Sequence, residues 1–213
     1  MAWLRIDRWV GAGEPDLVPG RDRPSRSREK LGDTDIRNAP ILCQHCGAAP
    51  CEPVCPVIAT YHNEEGVNAM IYNRCIGTRY CANNCPYKVR RYNYWDHQLT
   101  KWPEPMELGL NPDVTVRGQG VMEKCTFCVQ RVQYARQDSK NAGQATIPDG
   151  AVETACQQTC PSSAITFGNL RDPQSAVSKK AADEKRRYAA LHMLNTRPAV
   201  TYLSKVIRGK VEG

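Results

Sequence analysis

Eleven cysteines of this 213-residue chain lie between Cys43 and Cys160, and three of them are followed directly by proline. A closely spaced run of cysteines that ends in Cys-Pro is typical of the thiolates that hold iron–sulfur clusters. The cysteine before proline starts a new turn and points away, so it serves the other cluster of a pair. The four groups are Cys43-x2-Cys46-x4-Cys51-x3-Cys55, Cys75-x5-Cys81-x3-Cys85, Cys125-x2-Cys128 and Cys156-x3-Cys160.

The first two groups form a pair that can exchange their last ligands. This exchange predicts a [4Fe–4S] cluster held by Cys43, Cys46, Cys51 and Cys85. The partner site has one cysteine fewer, because Thr78 stands at its remaining position and a hydroxyl is a poor iron ligand beside thiolates. We therefore expect a [3Fe–4S] cluster of higher reduction potential there, although water or another ligand could complete a four-iron cluster. The predicted ligands of this partner site are Cys55, Cys75 and Cys81.

The last two groups supply an incomplete pair. Cys125, Cys128 and Cys156 are predicted to ligate a further [4Fe–4S] cluster, and the exchange rule sends Cys160 to another one. The motif that would complete this exchange is not in the sequence. It would lie upstream in a longer protein or in another chain; alternatively, Cys160 completes the local cluster.

Two other uses of cysteine fit the pattern less well. Structural zinc sites use closed sets of four Cys or Cys/His ligands, and the x2, x4 and x3 spacings followed by proline are not those of a zinc knuckle. Disulfides would favour an even number of cysteines and longer loops between them. A zinc-stabilised module that binds nucleic acid is thus a distant alternative.

Composition excludes some classes of protein and leaves others open. The net charge of +7 permits an anionic partner but does not require nucleic acid. No apolar run approaches the roughly 18–20 residues of a membrane span. The N-terminal residues MAWLRIDRWV lack the apolar stretch of a signal peptide. If the protein works outside the cytoplasm, we expect its targeting signal to come from a longer precursor or from a partner.

Local patterns place the cysteine groups among short elements. We predict a strand over Ala2–Val10 and an extended arm over Gly11–Asn38, which is rich in Pro, Gly and charge. A β-hairpin is predicted over Thr60–Tyr72, and a short helix after Cys128. The Asp172-Pro173 pair predicts the start of a long helix through Asn195, followed by a last strand.

Four segments carry a resemblance to a known family: CQHCGAAPCEPVCP, CANNCPYKVRRYN, KCTFCVQR and ACQQTCPSSAI. They resemble the four-cluster ferredoxin-like subunits of molybdopterin oxidoreductases such as the polysulfide and dimethyl sulfoxide reductases. The segments RCIGTRYCANNCPYKVRRYNY and LNTRPAVTYL are more similar to the iron–sulfur subunit of alternative complex III, a quinol-oxidising complex of respiration or photosynthesis. The resemblance extends over nearly the whole chain.

The resemblance implies an α+β fold, a double ferredoxin-like iron–sulfur core with a peripheral arm and a C-terminal helix and strand. We expect the strand and arm in residues 1–40, the cluster domain in 41–170, and the helix and strand extension in 171–213. Family members carry another cysteine motif before the strand that corresponds to LRIDRWV, together with a larger domain. This chain therefore resembles a C-terminal portion, or one product of a split gene.

The resemblance also implies a function without a catalytic residue in this chain. Electrons from menaquinol, oxidised by a polytopic membrane subunit, would pass through the [3Fe–4S] and [4Fe–4S] clusters to c-type haems on a multihaem cytochrome subunit. The chain would lie peripherally on the periplasmic face of the bacterial cytoplasmic membrane. The alternative is the electron-transfer subunit of a molybdopterin reductase.

Overall fold

The computed structural model describes residues 3–11, 35–97, 101–182 and 185–204. Short helices and two-stranded antiparallel sheets alternate along these residues and are joined by turns. The elements are β1 (Arg5–Gly11), β2 (Asp35–Ile41), β3 (Thr60–His62), β4 (Asn68–Met70), α1 (Tyr80–Asn83), β5 (Arg91–Tyr92), β6 (Met122–Glu123), α2 (Val129–Asn141), α3 (Ala155–Gln158), α4 (Ala176–Ala181), β7 (Arg187–Tyr188) and β8 (Tyr202–Leu203). Within this described part, no helix is both long enough and apolar enough to span a bilayer.

The predicted N-terminal strand is confirmed as β1, which pairs antiparallel with β2. Arg5 lies opposite Ile41 and Gly11 opposite Asp35, so the ladder ends two residues before Cys43. The last residues of the predicted arm, from Asp35 onward, therefore belong to a strand. The rest of the arm, residues 12–34, lies outside the described residues.

The predicted hairpin over Thr60–Tyr72 is confirmed as β3 and β4. Its turn is closed by the Asn63 side chain, whose Oδ1 accepts a hydrogen bond from Val67 N at 2.9 Å. Gly66 takes a φ of +78°, in the left-handed region that glycine tolerates best. The hairpin brings the buried Thr60 and Asn68 next to the first cysteine group.

The helix after Cys128 is also confirmed, as the 13-residue α2. The long helix predicted from Asp172 to Asn195 is wrong. Among the described residues of this range, the α-helix is confined to α4. The buried Ser175 hydroxyl, rather than Asp172, caps its start and accepts from Ser178 N at 3.2 Å. Leu191 and Asn195 have φ values of 52° and 49°, which a right-handed helix excludes. The predicted last strand is reduced to β8.

The main buried cluster is built largely from cysteines rather than from aliphatic side chains. The C-terminal segment returns to cover it. Gly47 N donates to Arg197 O at 2.7 Å, and Ala199 N donates to Gln44 O at 2.8 Å. The Tyr87 hydroxyl lies 2.7 Å from Thr196 Oγ1. These contacts hold the first cysteine loop in place from the far end of the chain.

Candidate metal centres

Four of the predicted ligands lie around one pocket. We call Cys43, Cys46, Cys51 and Cys85 the inner site; all four are buried, with 7–8% of each residue exposed, and all four line this pocket. The first three come from the loop after β2, whereas Cys85 follows α1. Each loop bends sharply near its cysteines, since His45 and Lys88 have positive φ values. The two cysteine groups therefore meet at the inner site as the exchange rule expects.

Arg90 provides a buried positive charge at the inner site. Only 5% of this residue is exposed. Its guanidinium donates to Thr60 Oγ1 at 2.6 Å and to Cys51 Sγ at 3.3 Å. Burial disfavours the charged guanidinium, but the nearby cysteine thiols, Cys51 first, outweigh it and raise the pKa of Arg90. Arg90 is thus a counter-charge for thiolates.

Lys124 is the second buried cation, and none of its surface is exposed. Its Nζ donates to the backbone carbonyl of Asn68 and, at 3.1 Å, to that of Cys125. Burial lowers the pKa of Lys124, while the nearby thiols of Cys43, Cys125 and Cys51 act in the opposite direction. The lysine therefore lies within electrostatic reach of two cysteine groups.

His45 links the first cysteine loop to the third. Its ring stacks on Phe127 with centroids 3.8 Å apart, and it is 1% exposed. Neither ring nitrogen has a partner with hydrogen-bond geometry. Burial, followed by the charge of Lys124, holds the pKa of His45 well below its usual range. His45 therefore packs as a neutral ring between the two loops.

The middle site comprises Cys55, Cys75, Cys81 and the residue at the missing position, Thr78. Cys81 is buried in α1, whereas Cys55 and Cys75 are half-buried and Thr78 is exposed. Cys55 Sγ accepts from Ala59 N at 3.2 Å, and Cys75 Sγ accepts from Met122 N at 3.4 Å. These three cysteines do not line the inner pocket.

Close backbone packing shapes the middle site. Gly77 has a φ of +73°, and a Cβ added to it would overlap the carbonyl oxygen of Gly120. Arg79 then begins α1 from a left-handed conformation, with a φ of 60°. The Cys75–Cys81 loop therefore has room only for glycine at position 77.

The outer site comprises the half-buried Cys125, Cys128, Cys156 and Cys160. Backbone N–H groups point at their sulfurs. Cys128 Sγ accepts from Ala155 N at 3.2 Å, and Cys160 Sγ accepts from Ala164 N at 3.4 Å. The hydrogen bond from Ala155 N to Cys128 Sγ connects the third cysteine group to the fourth, which follows much later in the sequence. Burial raises the pKa of Cys125 to about 11.

The donor set suits a multi-iron cluster better than a single ion. A single zinc ion needs its sulfur ligands about 2.3 Å from one point. No three His, Cys, Asp or Glu side chains of the described ranges converge on such a point. At the inner site, four buried thiols instead surround a shared pocket with Arg90 beside them and the unpartnered His45 in the same loop. These residues would fit an anionic cluster held by thiolates.

The comparison with known families agrees with this chemistry. Residues 34–103 match the family model described as a 4Fe-4S dicluster domain. Over 176 residues, the chain is 42% identical to the iron–sulfur cluster-binding subunit of menaquinone reductase from Nitratidesulfovibrio vulgaris; the match covers 80% of this chain and 67% of the relative. The chain belongs to the family of iron–sulfur cluster-binding subunits.

Other iron–sulfur subunits are similar over shorter shares of their length. A putative dimethyl sulfoxide reductase iron–sulfur subunit from Halobacterium salinarum is 38% identical over 86% of this chain and 62% of the relative. Iron–sulfur subunit 1 of an Hdr-like menaquinol oxidoreductase from Archaeoglobus fulgidus is 38% identical over 66% of this chain and 47% of the relative. The chain thus spans about half to two thirds of these relatives.

Sequence reasoning missed the buried cations of the iron–sulfur subunit. Arg90 belongs to a stretch of aromatic and basic residues, a composition that favours solvated or partner-facing charges, yet it is buried against Cys51. Strand alternation gives no signal for it, because the adjacent Val89 and Arg90 are both buried. Lys124 has only its position directly before Cys125 as a signal. Neither pattern specifies a partner.

Proposed function

We propose that this iron–sulfur subunit transfers electrons between partner subunits of a quinol:acceptor oxidoreductase. The observation that carries the proposal is the inner site, where four thiols from two separate loops surround one pocket beside a buried arginine. Bound clusters would supply sites that accept and release one electron at a time. The chain offers no separate substrate site in this proposal.

The side chains of the inner site have distinct tasks in this function. Cys43, Cys46, Cys51 and Cys85 would hold a [4Fe–4S] cluster. Tyr87 and the returning C-terminal segment limit the access of water to the loop, since the Tyr87 hydroxyl contacts Thr196. Such burial, together with hydrogen bonds to sulfur, is one means by which proteins set cluster potentials.

For the remaining cysteines we propose the assignments that the exchange rule favours. Cys55, Cys75 and Cys81 would hold a [3Fe–4S] cluster, with the exposed Thr78 at the open position. A second [4Fe–4S] cluster would be held by three cysteines of the outer site, Cys125, Cys128 and Cys156. The fourth, Cys160, would serve a cluster whose other ligands come from a further segment or chain.

The partners follow from the same proposal. The menaquinone reductase and menaquinol oxidoreductase names of two relatives favour a quinol-linked complex. We propose an alternative complex III-type assembly, with a polytopic quinol-binding membrane subunit and a multihaem cytochrome c subunit. The chain would be peripheral, on the periplasmic face of the cytoplasmic membrane.

A second candidate is the electron-transfer subunit of a molybdopterin reductase. The similarity to a putative dimethyl sulfoxide reductase subunit favours it. The two candidates differ in the cofactor of the partner. Purification of the intact complex followed by metal and pigment analysis separates them, because c-type haem without molybdenum supports the first candidate and molybdenum without haem supports the second.

The cluster content is tested on the purified chain, handled without oxygen. We expect iron and acid-labile sulfide in near-equal amounts, with low-temperature EPR signals of clusters. Colourless protein that contains zinc would overturn the proposal. Thr78→Cys should remove the [3Fe–4S] signal near a g value of about 2 from the oxidised protein. Persistence of that signal in the variant would contradict the role of Thr78.

A further inference from the structure

Lys124 is a buried cation with no carboxylate partner among the residues that the structure describes. Its ammonium is wholly inside the chain and donates hydrogen bonds to two backbone carbonyls. Within the described ranges, no Asp or Glu lies within ion-pair distance of it. A buried charge without a counter-charge is costly, so a neighbouring negative group is expected.

The candidate negative groups belong to two different cluster sites. The two carbonyls that accept from Lys124 lie at different sites: Asn68 lines the inner pocket and its side-chain amide donates to Cys51 Sγ at 3.8 Å, whereas Cys125 belongs to the outer site. Lys124 directly precedes Cys125 in the chain, and its ammonium reaches back to the hairpin carbonyl of Asn68. That position places one cation between two groups of thiolates.

We propose that Lys124 is a shared counter-charge for the clusters of the inner and outer sites, and that its ammonium raises the reduction potential of both. The inference rests on the proposed function, because it requires that both sites hold clusters. Lys124 is a positioning residue in this role, since it does not ligate iron.

The physical reason is the charge that reduction adds. Reduction brings one electron into a site that is already anionic, while no bond forms or breaks and no proton moves. A cation held in a medium of low dielectric constant stabilises the added charge far more than a solvated one does. Arg90 donates to Cys51 of the inner site, whereas Lys124 lies between the inner and outer sites. Loss of the Lys124 charge should therefore shift the reduction potentials of both clusters.

The test is a redox titration of the full chain, loaded with iron and sulfide and followed by low-temperature EPR. In Lys124→Met we expect the ratio of reduced to oxidised inner and outer clusters to fall at least tenfold at a fixed potential. A tenfold change in this ratio corresponds to a shift of about 59 mV in the reduction potential of a one-electron step. The middle site serves as an internal reference and should shift less.

Two further variants separate charge from packing. Lys124→Arg keeps the charge and should remain within about twofold of the unmodified chain. Lys88→Met removes an exposed lysine near Cys85; the Lys88 Nζ donates to Asn83 O at 2.8 Å. This variant should also change the ratio of reduced to oxidised clusters less than about twofold, because solvent screens the Lys88 charge.

Each result decides the inference. Unchanged potentials in Lys124→Met, or equal shifts in the Met and Arg variants, would overturn it, as would equal shifts at all three sites. If Lys124→Met fails to retain iron, retention in Lys124→Arg supports the charge role, and loss in both variants overturns it. Absence of iron and sulfide from the unmodified chain would instead overturn the proposed function.

Discussion

The inner and outer cysteine sites differ in what surrounds their sulfur atoms. The four inner thiols are buried and line one pocket, and a guanidinium from a distant part of the chain donates to Cys51. The four outer cysteines are half-buried, and several receive hydrogen bonds from groups two to four residues away, as Cys160 does from Ala164 N. The inner site is thus built by tertiary structure and the outer site largely by local turns.

This contrast indicates where each site obtains its stability. Removal of one inner group leaves buried polar partners without a hydrogen bond, which costs more than the loss of an exposed contact. At the outer site, water can replace a lost partner. The substitutions that follow test this difference in matched pairs, one member from each region.

The largest contrast is expected between Cys51→Ser and Cys160→Ser. The first should cost the chain at least one iron, because a hydroxyl replaces a buried thiolate ligand there as it does at Thr78. The second should leave the iron content of the isolated chain unchanged. Iron and sulfide analysis after anaerobic purification measures both, and similar losses in the two variants would contradict the assignment of Cys160 to a separate cluster.

Arg90→Met and Arg131→Met compare two arginines with different burial. Loss of the Arg90 guanidinium leaves Thr60 Oγ1 and Cys51 without a buried donor and should destabilise the chain by about 4 kcal/mol. The more accessible Arg131 donates to Glu153 O at 2.7 Å and should cost about 1 kcal/mol. Chemical denaturation without oxygen gives both free energies. Equal losses of unfolding free energy in the two variants would show that the surroundings of the inner and outer sites do not differ in their contribution to stability.

Gly77→Ala and Gly143→Ala compare two glycines with nearly the same backbone conformation. Their φ values are +73° and +71°, so both substitutions carry the left-handed penalty of about 1 kcal/mol. Only at Gly77 does the new methyl group overlap a carbonyl oxygen, that of Gly120, while Gly143 has open space. We expect a total cost of about 3 kcal/mol for Gly77→Ala. Thermal unfolding should rank the variants in this order.

The smallest effect is expected at the ion pair between Glu65 and Arg136, which joins the hairpin of β3 and β4 to α2. Glu65→Gln should destabilise the chain by about 0.5 kcal/mol, because such accessible pairs contribute little. The adjacent exposed Glu64, substituted by Gln, is the matched control. The difference between the two variants should vanish at high salt, and a difference that persists would mean that the pair is not accessible to solvent.

Much of the cysteine geometry could be predicted because spacing constrains where a short loop can place its thiols. Cys43 and Cys46 are close in sequence, the Cys-Pro rule pairs Cys85 with them, and all three line the inner pocket. Cluster ligation itself remains a prediction. The rest depended on contacts between distant residues. Nothing local to Arg90 specifies Thr60 as its partner, thirty positions away.

The wrong helix shows a second limit of local patterns. Apolar residues from Ala176 onward keep a helical spacing, but this spacing does not show where the helix begins or ends. The Ser175 hydroxyl also donates to Asn169 O at 2.8 Å, which fixes the turn before α4. The positive φ values at Leu191 and Asn195 then prevent a continuous helix.

The ladder of β1 and β2 has a practical consequence for protein engineering. Its last pair joins Gly11 to Asp35, and its first pair, Arg5 with Ile41, lies next to the cysteine loop. A fluorescent label attached at the Gly11–Asp35 pair would therefore lie at the end of the ladder remote from the cysteine loop.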